Sequence, residues 1–306
     1  MAVGSAAETA TVRWLREEED YGMRFYRVRR VIACRRTPYQ KAEVLEVCGL
    51  GRCLFLDGRL QSAEADEHVY HELLVHPAVA AHPAPRRILV CGAGECATVR
   101  EILKHPPVER VVAVDIDREA VELCLAHLGF DRGGASDPRC ELVFTDAAEF
   151  VASYRGGPFD VAVVDVTDDP GGPAWTVYTE RFYRSLKRVL SEDYAVAVQG
   201  TSALPGARGS AFASLYRVLR DVFDRVVPYA EYIPSFEDLW GFFLCTGGRA
   251  EAVPPPGRLP RGLRYLDGGA LTRAFSLPGA VRRALKGEGT QMPAVAFGDT
   301  KGEGRS

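Results

Sequence analysis

Acids recur in this chain at the points where short apolar runs end, and a glycine turn stands among them. Gly92-Ala93-Gly94-Glu95-Cys96-Ala97 follows ILVC, Asp115 closes VVAV, Asp146 follows ELVFT, and Asp165 closes VAVV with Asp168 and Asp169 just beyond. Glycines at a strand-to-helix turn let a ligand approach the backbone, and the helix start offers it free N–H groups. Gly92 and Gly94 are therefore candidate ligand contacts, although a tight turn alone would also use them. Glu95 narrows the ligand, because a carboxylate repels a pyrophosphate and attracts an amine or a sulfonium. Asp115 suits ribose hydroxyls, whereas Asp117 reads as a helix cap. Asp146, followed by Ala147, suits an adenine amino group and equally an N-cap. An acid after each of three successive strands favours a nucleoside of the S-adenosylmethionine type over a dinucleotide.

Asp165 and Asp168 carry the candidate chemistry. Ligands of open α/β sheets bind outside the carboxyl ends of the strands, and a plain acidic turn is the competing explanation. Alkyl transfer to an amine needs a neutral nucleophile, and a free alkylammonium has a pKa of about 10. A carboxylate can orient the ammonium and take its proton as the lone pair attacks. In front of the glycine turn lies a polar block with Gln61, Asp66, Tyr70 and His71, in which Tyr70 and His71 are placed to line an amine channel. Late in the chain, Tyr232, Phe236 and Trp240 are interleaved with acids, a mixture that suits a polycation with methylene spacers. Ordinary sheet packing is the alternative for Trp240.

The elements that position these residues follow from periodicity. From 23 to about 62 the pattern is strand-like, punctuated by Gly49, Gly51 and Asp57-Gly58 as hairpin turns. Residues 66–80 have helical spacing, with Pro77 read as the stop. From 87 onward, apolar strand runs alternate with amphipathic helices near 97–104, 118–128, 146–154, 179–190 and 209–223, and RVVPYAEYI and LWGFFLCTG close the sheet. This predicts an α/β fold, a doubly wound Rossmann-like sheet of methyltransferase type, mostly parallel, with a small N-terminal antiparallel β-domain. The expected organisation is a flexible N-terminus over 1–20, a β-domain with a connecting helix over 21–80, the nucleoside-binding catalytic domain over 81–286, and a disordered tail over 287–306.

Composition excludes several classes. The net charge of −3 over 306 residues lacks the basic footprint of a nucleic-acid binder. No apolar run approaches the roughly 20 residues that span a bilayer. The eight cysteines show neither C-x-x-C pairs nor zinc spacing, so reduced thiols, no metal and no disulfide framework are expected. With no signal-peptide pattern at the start, a cytoplasmic location is expected.

Long collinear blocks carry a family resemblance: LDGRLQSAEADEHVYHELLVHPAVAAHP, VREILKHPPVERVVAVDID, GGPAWTVYTERFY and YIPSFEDLWGF. They resemble the spermidine synthase family of aminopropyltransferases from about 40 to 247, and within it the thermospermine synthases. The resemblance implies propylamine transfer from decarboxylated S-adenosylmethionine to an amine or polyamine, release of methylthioadenosine, and a homodimer or homotetramer. It makes Asp165 the catalytic acid, with Asp168 anchoring the attacking amine and Tyr70 beside them. Gln61, Tyr70 and His71 match donor and acceptor contacts, Glu95 the acid that holds the aminopropyl group, Asp115 the ribose acid, and Asp146 with Ala147 the adenine contact. Gln199 stands where the family often has glutamine. The chain departs from the family pattern in GAGEC, in a DPGG segment about one residue short for the thermospermine branch, and in Phe236, which lacks a phenol hydroxyl. The alternatives are a same-fold enzyme using intact S-adenosylmethionine for methyl or aminocarboxypropyl transfer or for cyclisation, and a non-catalytic polyamine or nucleoside binder. An NAD oxidoreductase lacks a Tyr-Lys or His-Asp pair here.

Overall fold

The computed structural model describes residues 13–19, 22–167, 173–206 and 209–288. The N-terminal sheet is a meander of β1 (Arg13–Glu19), β2 (Gly22–Arg36), β3 (Lys41–Val47), β4 (Gly51–Leu56) and β5 (Arg59–Ala63), in the order of the chain. The expected turns hold: Gly49, Gly51, Asp57 and Gly58 all take positive φ. Residues 13–19 fall inside the stretch expected to be flexible, yet they form β1, pairing with β2 from Arg13↔Val28 onward. Its alternation puts Glu17 inside, where Oε2 accepts a hydrogen bond from Tyr26 at 2.5 Å.

Helix α1 (Glu67–Ala81) links this sheet to the second one. There follow β6 (Arg87–Cys91), α2 (Ala97–Ile102), β7 (Arg110–Asp115), α3 (Arg118–His127), β8 (Cys140–Phe144), α4 (Ala147–Ser153), β9 (Phe159–Val164), α5 (Glu180–Arg188), β10 (Leu190–Ser202), α6 (Ser210–Val222), β11 (Arg225–Ile233), β12 (Asp238–Thr246), α7 (Gly268–Ala274) and α8 (Gly279–Leu285). The sheet order is β11-β12-β10-β9-β6-β7-β8, and β12 alone runs against its neighbours. The strand order reverses between β6 and β9, which opens a crevice at their carboxyl ends.

The two-residue repeat of the strands divides the core. Ile88, Val90, Val111, Ala113, Val161 and Val163 face the side covered by α1 and α2. Leu89, Cys91, Val112, Val114, Ala162 and Val164 face the side covered by α4, α5 and α6. Val and Ala supply compact, branched or small side chains on both faces, as a buried parallel sheet requires. Two polar links join the layers. Asp117 caps α3 through Ala120 N at 3.1 Å and also receives the Thr37 hydroxyl at 2.6 Å from the β2–β3 turn. Glu72, fully buried on α1, accepts the backbone N–H groups of Arg264, Tyr265 and Leu266 at 2.7, 2.9 and 2.8 Å.

Pro77 does not stop α1; it lies inside the helix. A proline removes the N–H that would bond the carbonyl four residues back, here that of Leu73. The Tyr229 hydroxyl takes over this duty, donating to Leu73 O at 2.9 Å. The helix therefore runs on to Ala81, and a strand from the far edge of the sheet locks it in place. The tail expected to be disordered lies outside the described residues from 289 on.

Tyr229→Phe keeps the ring stack on Phe275 and should cost about 1–2 kcal/mol in urea unfolding, because a buried carbonyl loses its donor. In a Pro77→Ala background the residue-77 N–H returns, and the same substitution should cost clearly less. Equal costs in both backgrounds would refute this explanation of the continuous helix.

Candidate active site

The site grows from the crevice between β6 and β9. Gly92 N bonds Val114 O at 2.8 Å, and Asp165 N bonds Cys91 O at 2.8 Å. A Cβ on Gly92 would stand 1.9 Å from Asp165 O. The neighbouring strand end therefore requires a glycine at position 92 on its own account. Gly94 keeps the expected openness: its φ is +48° and a Cβ there would meet nothing within 4 Å. Cys96 holds a left-handed φ of 60° at the cap of α2, where a glycine would be relaxed. Burial pushes its thiol up.

Two helices converge on Asp165. From α1, the Tyr70 hydroxyl donates to Oδ1 at 2.7 Å; from α2, Thr98 donates to Oδ2 at 2.8 Å. Burial, followed by the nearby Asp165 charge, pushes the Tyr70 phenol up, so it stays protonated and acts as a donor. Burial is also the largest influence on Asp165 and raises its pKa, against the lowering effects of His71, Tyr70 and Thr98. A carboxylate with a raised pKa is a stronger proton acceptor.

His71 lies among acids. It is buried, and its Nδ1 lies 2.6 Å from Glu67 O and 3.1 Å from Glu67 Oε2, while Nε2 lies 3.5 Å from Glu95 Oε1. Burial works against its protonation. The Glu67 hydrogen bond and the charges of Glu95, Glu67 and Asp165 outweigh it and push His71 up to about 9. The acids on both sides of the ring favour its protonated form. Behind it, Arg100 grips Glu67 at 2.7 and 3.1 Å and Glu101 at 2.7 Å, and His76 continues the chain to Glu101 at 2.9 Å. The network touches Glu95 through His71.

The nucleoside-side acids lie as expected on the strand ends. Asp115 Oδ2 accepts Ala93 N and Gly94 N, both at 2.9 Å, and Oδ1 accepts Asp117 N at 2.8 Å. The acid that suits a ribose therefore also shapes the glycine turn. Asp146 caps α4 through Ala148 N at 2.6 Å and Glu149 N at 2.9 Å, with buried Ala147 next to it.

Gln199 braces the loop after Asp165. Buried at the end of β10, it donates to Val166 O at 2.8 Å and to the Tyr178 hydroxyl at 2.5 Å, and its oxygen accepts Thr201 N at 3.2 Å. Its amide is occupied in holding the loop that follows Asp165. Asp168 lies outside the described residues.

Beside Tyr70 is a narrow pocket lined by Gln61, Ser62, Asp66, Tyr70, Ile233 and Phe236, among others. Phe236 packs on Tyr70 with centroids 6.0 Å apart, and Trp240 packs on Phe236 at 4.8 Å. Tyr232 is not part of it: strand alternation turns it outward, 52% exposed, and brings Ile233 in instead. The sequence reading missed Thr98, Glu67 and Arg100. The i, i+4 spacing of Glu67 and His71 was the available signal for one of them; nothing local marks Thr98 or Arg100.

The arrangement gathers a buried carboxylate at Asp165, a second acid at Glu95, and acids at the ends of two adjacent strands, Asp115 and Asp146. Comparison with known proteins agrees with that chemistry. The Spermine/spermidine synthase domain matches residues 67–253. Polyamine aminopropyltransferase 2 of Caldanaerobacter subterraneus subsp. tengcongensis is 48% identical over 264 residues, covering 86% of this chain and 88% of that protein. Polyamine aminopropyltransferase 2 of Pseudomonas aeruginosa is 42% identical, covering 79% and 68%. A spermidine synthase crystallised with the transition-state analogue AdoDATO superposes with a TM-score of 0.84 at 28% identity, over 92% of this chain and 98% of that one. With its switch-point acids and its N-terminal meander in place, the chain belongs to the spermine/spermidine synthase family.

Proposed function

We propose that the protein is a transferase moving an aminopropyl group from decarboxylated S-adenosylmethionine to a polyamine, with release of methylthioadenosine. The observation that carries this reading is the Asp165 carboxylate, held by Tyr70 and Thr98 at the switch point. The acceptor nitrogen attacks the propyl carbon beside the sulfonium. A C–N bond forms as the C–S bond breaks, the electron pair leaves on sulfur, and the proton lost by the amine goes to Asp165. The sulfonium is already a good electrophile, so positioning supplies much of the rate.

Glu95 takes the aminopropyl ammonium, Asp115 the ribose hydroxyls, and Asp146 with Ala147 the adenine edge. Gln61 contacts the donor, and Asp168 steadies the acceptor amine. Glu95 also disfavours the intact donor, whose extra carboxylate would meet a like charge. The blocks resembling thermospermine synthases support a triamine acceptor and a thermospermine-type product. Trp14, Met23 and Phe25 are exposed on one face of β1 and β2, which supports a homodimer or homotetramer built on the N-terminal sheet. Among the described residues no helix is long and apolar enough to cross a membrane.

Purified protein should release methylthioadenosine only when the decarboxylated donor and an amine are both present, as read by mass spectrometry of nucleoside and amine products. Release from intact S-adenosylmethionine without an amine would contradict this. Glu95→Gln should raise KM for the decarboxylated donor roughly tenfold or more, with KM for the acceptor nearly unchanged. Asp165→Asn should lower kcat by about two to four orders of magnitude and leave donor affinity intact. A kcat loss under threefold would remove Asp165 from the mechanism.

A further inference from the structure

The hydrogen-bond geometry around His71 decides how many protons its ring carries. Nδ1 lies 2.6 Å from Glu67 O and 3.1 Å from Glu67 Oε2. Both are acceptors, so Nδ1 holds a proton. Nε2 lies 3.5 Å from Glu95 Oε1. An imidazole nitrogen beside a carboxylate is attracted to it as an N–H and repelled as a bare lone pair. Acceptors thus stand at both nitrogens of a ring that is 3% exposed. The doubly protonated form fits them, in line with a pKa pushed up to about 9.

The charges that face the ring come from three elements. Glu67 belongs to its own helix, Glu95 to the glycine turn, and Asp165 to the end of β9. Arg100 from α2, at 2.7 Å, and Arg264, at 3.8 Å, sit on the carboxylate of Glu67. The Tyr70 ring meets the imidazole edge-on, with centroids 5.1 Å apart. The two ring protons are therefore not equivalent. The Nδ1 proton is shared with a glutamate that Arg100 holds in place. The Nε2 proton faces Glu95 over a longer distance, and Glu95 is the acid that the transfer reading assigns to the donor's ammonium.

We propose that the aminopropyl ammonium of the donor displaces the Nε2 proton of His71 as it takes its place on Glu95. The N–H bond at Nε2 breaks, its electron pair stays on the ring, and the proton passes to solvent. The neutral Nε2 then accepts a hydrogen bond from the ammonium, while Nδ1–H stays on Glu67. Without the exchange two cations would share one carboxylate in a buried site, where water screens their repulsion poorly. This rests on the aminopropyl-transfer reading and deepens it, because it makes His71 a specificity-determining contact that couples donor affinity to pH. The free site must give up a proton at any pH below about 9. Donor affinity therefore rises with pH in that range, by up to about tenfold per pH unit.

Titration calorimetry at about pH 8, in buffers of different ionisation enthalpy, counts the protons. Decarboxylated S-adenosylmethionine should release roughly half to one proton per site. Methylthioadenosine, which has no ammonium, should release none. In His71→Gln the release by the donor should fall to near zero, and donor affinity should stop rising between about pH 7 and 9. Donor binding to the wild type without proton release overturns the exchange. Undiminished release by His71→Gln also overturns it, because the proton then comes from another group. If His71→Gln does not fold, Glu95→Gln takes its place: it removes the charge that brings the ammonium beside the ring, so its release should fall as well, and an unchanged release overturns the proposal. A decarboxylated donor that does not bind the wild type at all overturns the transfer reading and the exchange with it, an outcome distinct from binding without release.

Discussion

The structure turns on one carboxylate taken largely out of water at the end of β9. A buried acid without partners would simply take up a proton and lose its use as a base. Tyr70 and Thr98 each give Asp165 one hydrogen bond and His71 stands nearby, and all three oppose the rise that burial causes. Those donors come from α1 and α2, which lie far apart in the chain. Their placement depends on Gly92, whose missing Cβ lets β6 end against Asp165, and on Tyr229, which keeps α1 intact across Pro77.

The surrounding charges are mostly negative, as a pocket for cations needs, and the interior network balances them. Glu67 is held down to about 2 by His71 and Arg100 in spite of its burial. Its contribution to folding is thus present above the ordinary carboxylate range and lost as pH falls through about 2. His71 is raised to about 9, so its contribution is complete below the ordinary imidazole range and lost as pH rises through about 9. Between these limits the pair is charged, and Glu95 is presented against a fixed imidazolium.

Much of this was legible in the sequence. The fully apolar runs announced a parallel sheet, and acids at their ends announced the crevice, because strand-end position survives folding unchanged. Roles defined by long-range contact were not legible. Nothing local announced that Gln199 would brace Val166 and Tyr178. Pro77 looked like a stop because its compensating donor lies more than a hundred and fifty positions away. Residues 13–19 looked like a loose end because half of a strand's stability belongs to its partner. Tyr232 and Ile233 exchanged places because a strand's register, and not its composition, decides which side faces a pocket.

The most direct test of the central claim is the pH dependence of kcat/KM at saturating donor, measured for the wild type, Tyr70→Phe and Thr98→Val. Burial raises Asp165, so the acid limb should lie above the ordinary carboxylate range of about 4. Each substitution removes a hydrogen bond that lowers Asp165, so each should move that limb to still higher pH and depress the rate below it. A limb that stays in place in both variants, or moves to lower pH, would contradict the account of Asp165 as a buried base held by Tyr70 and Thr98.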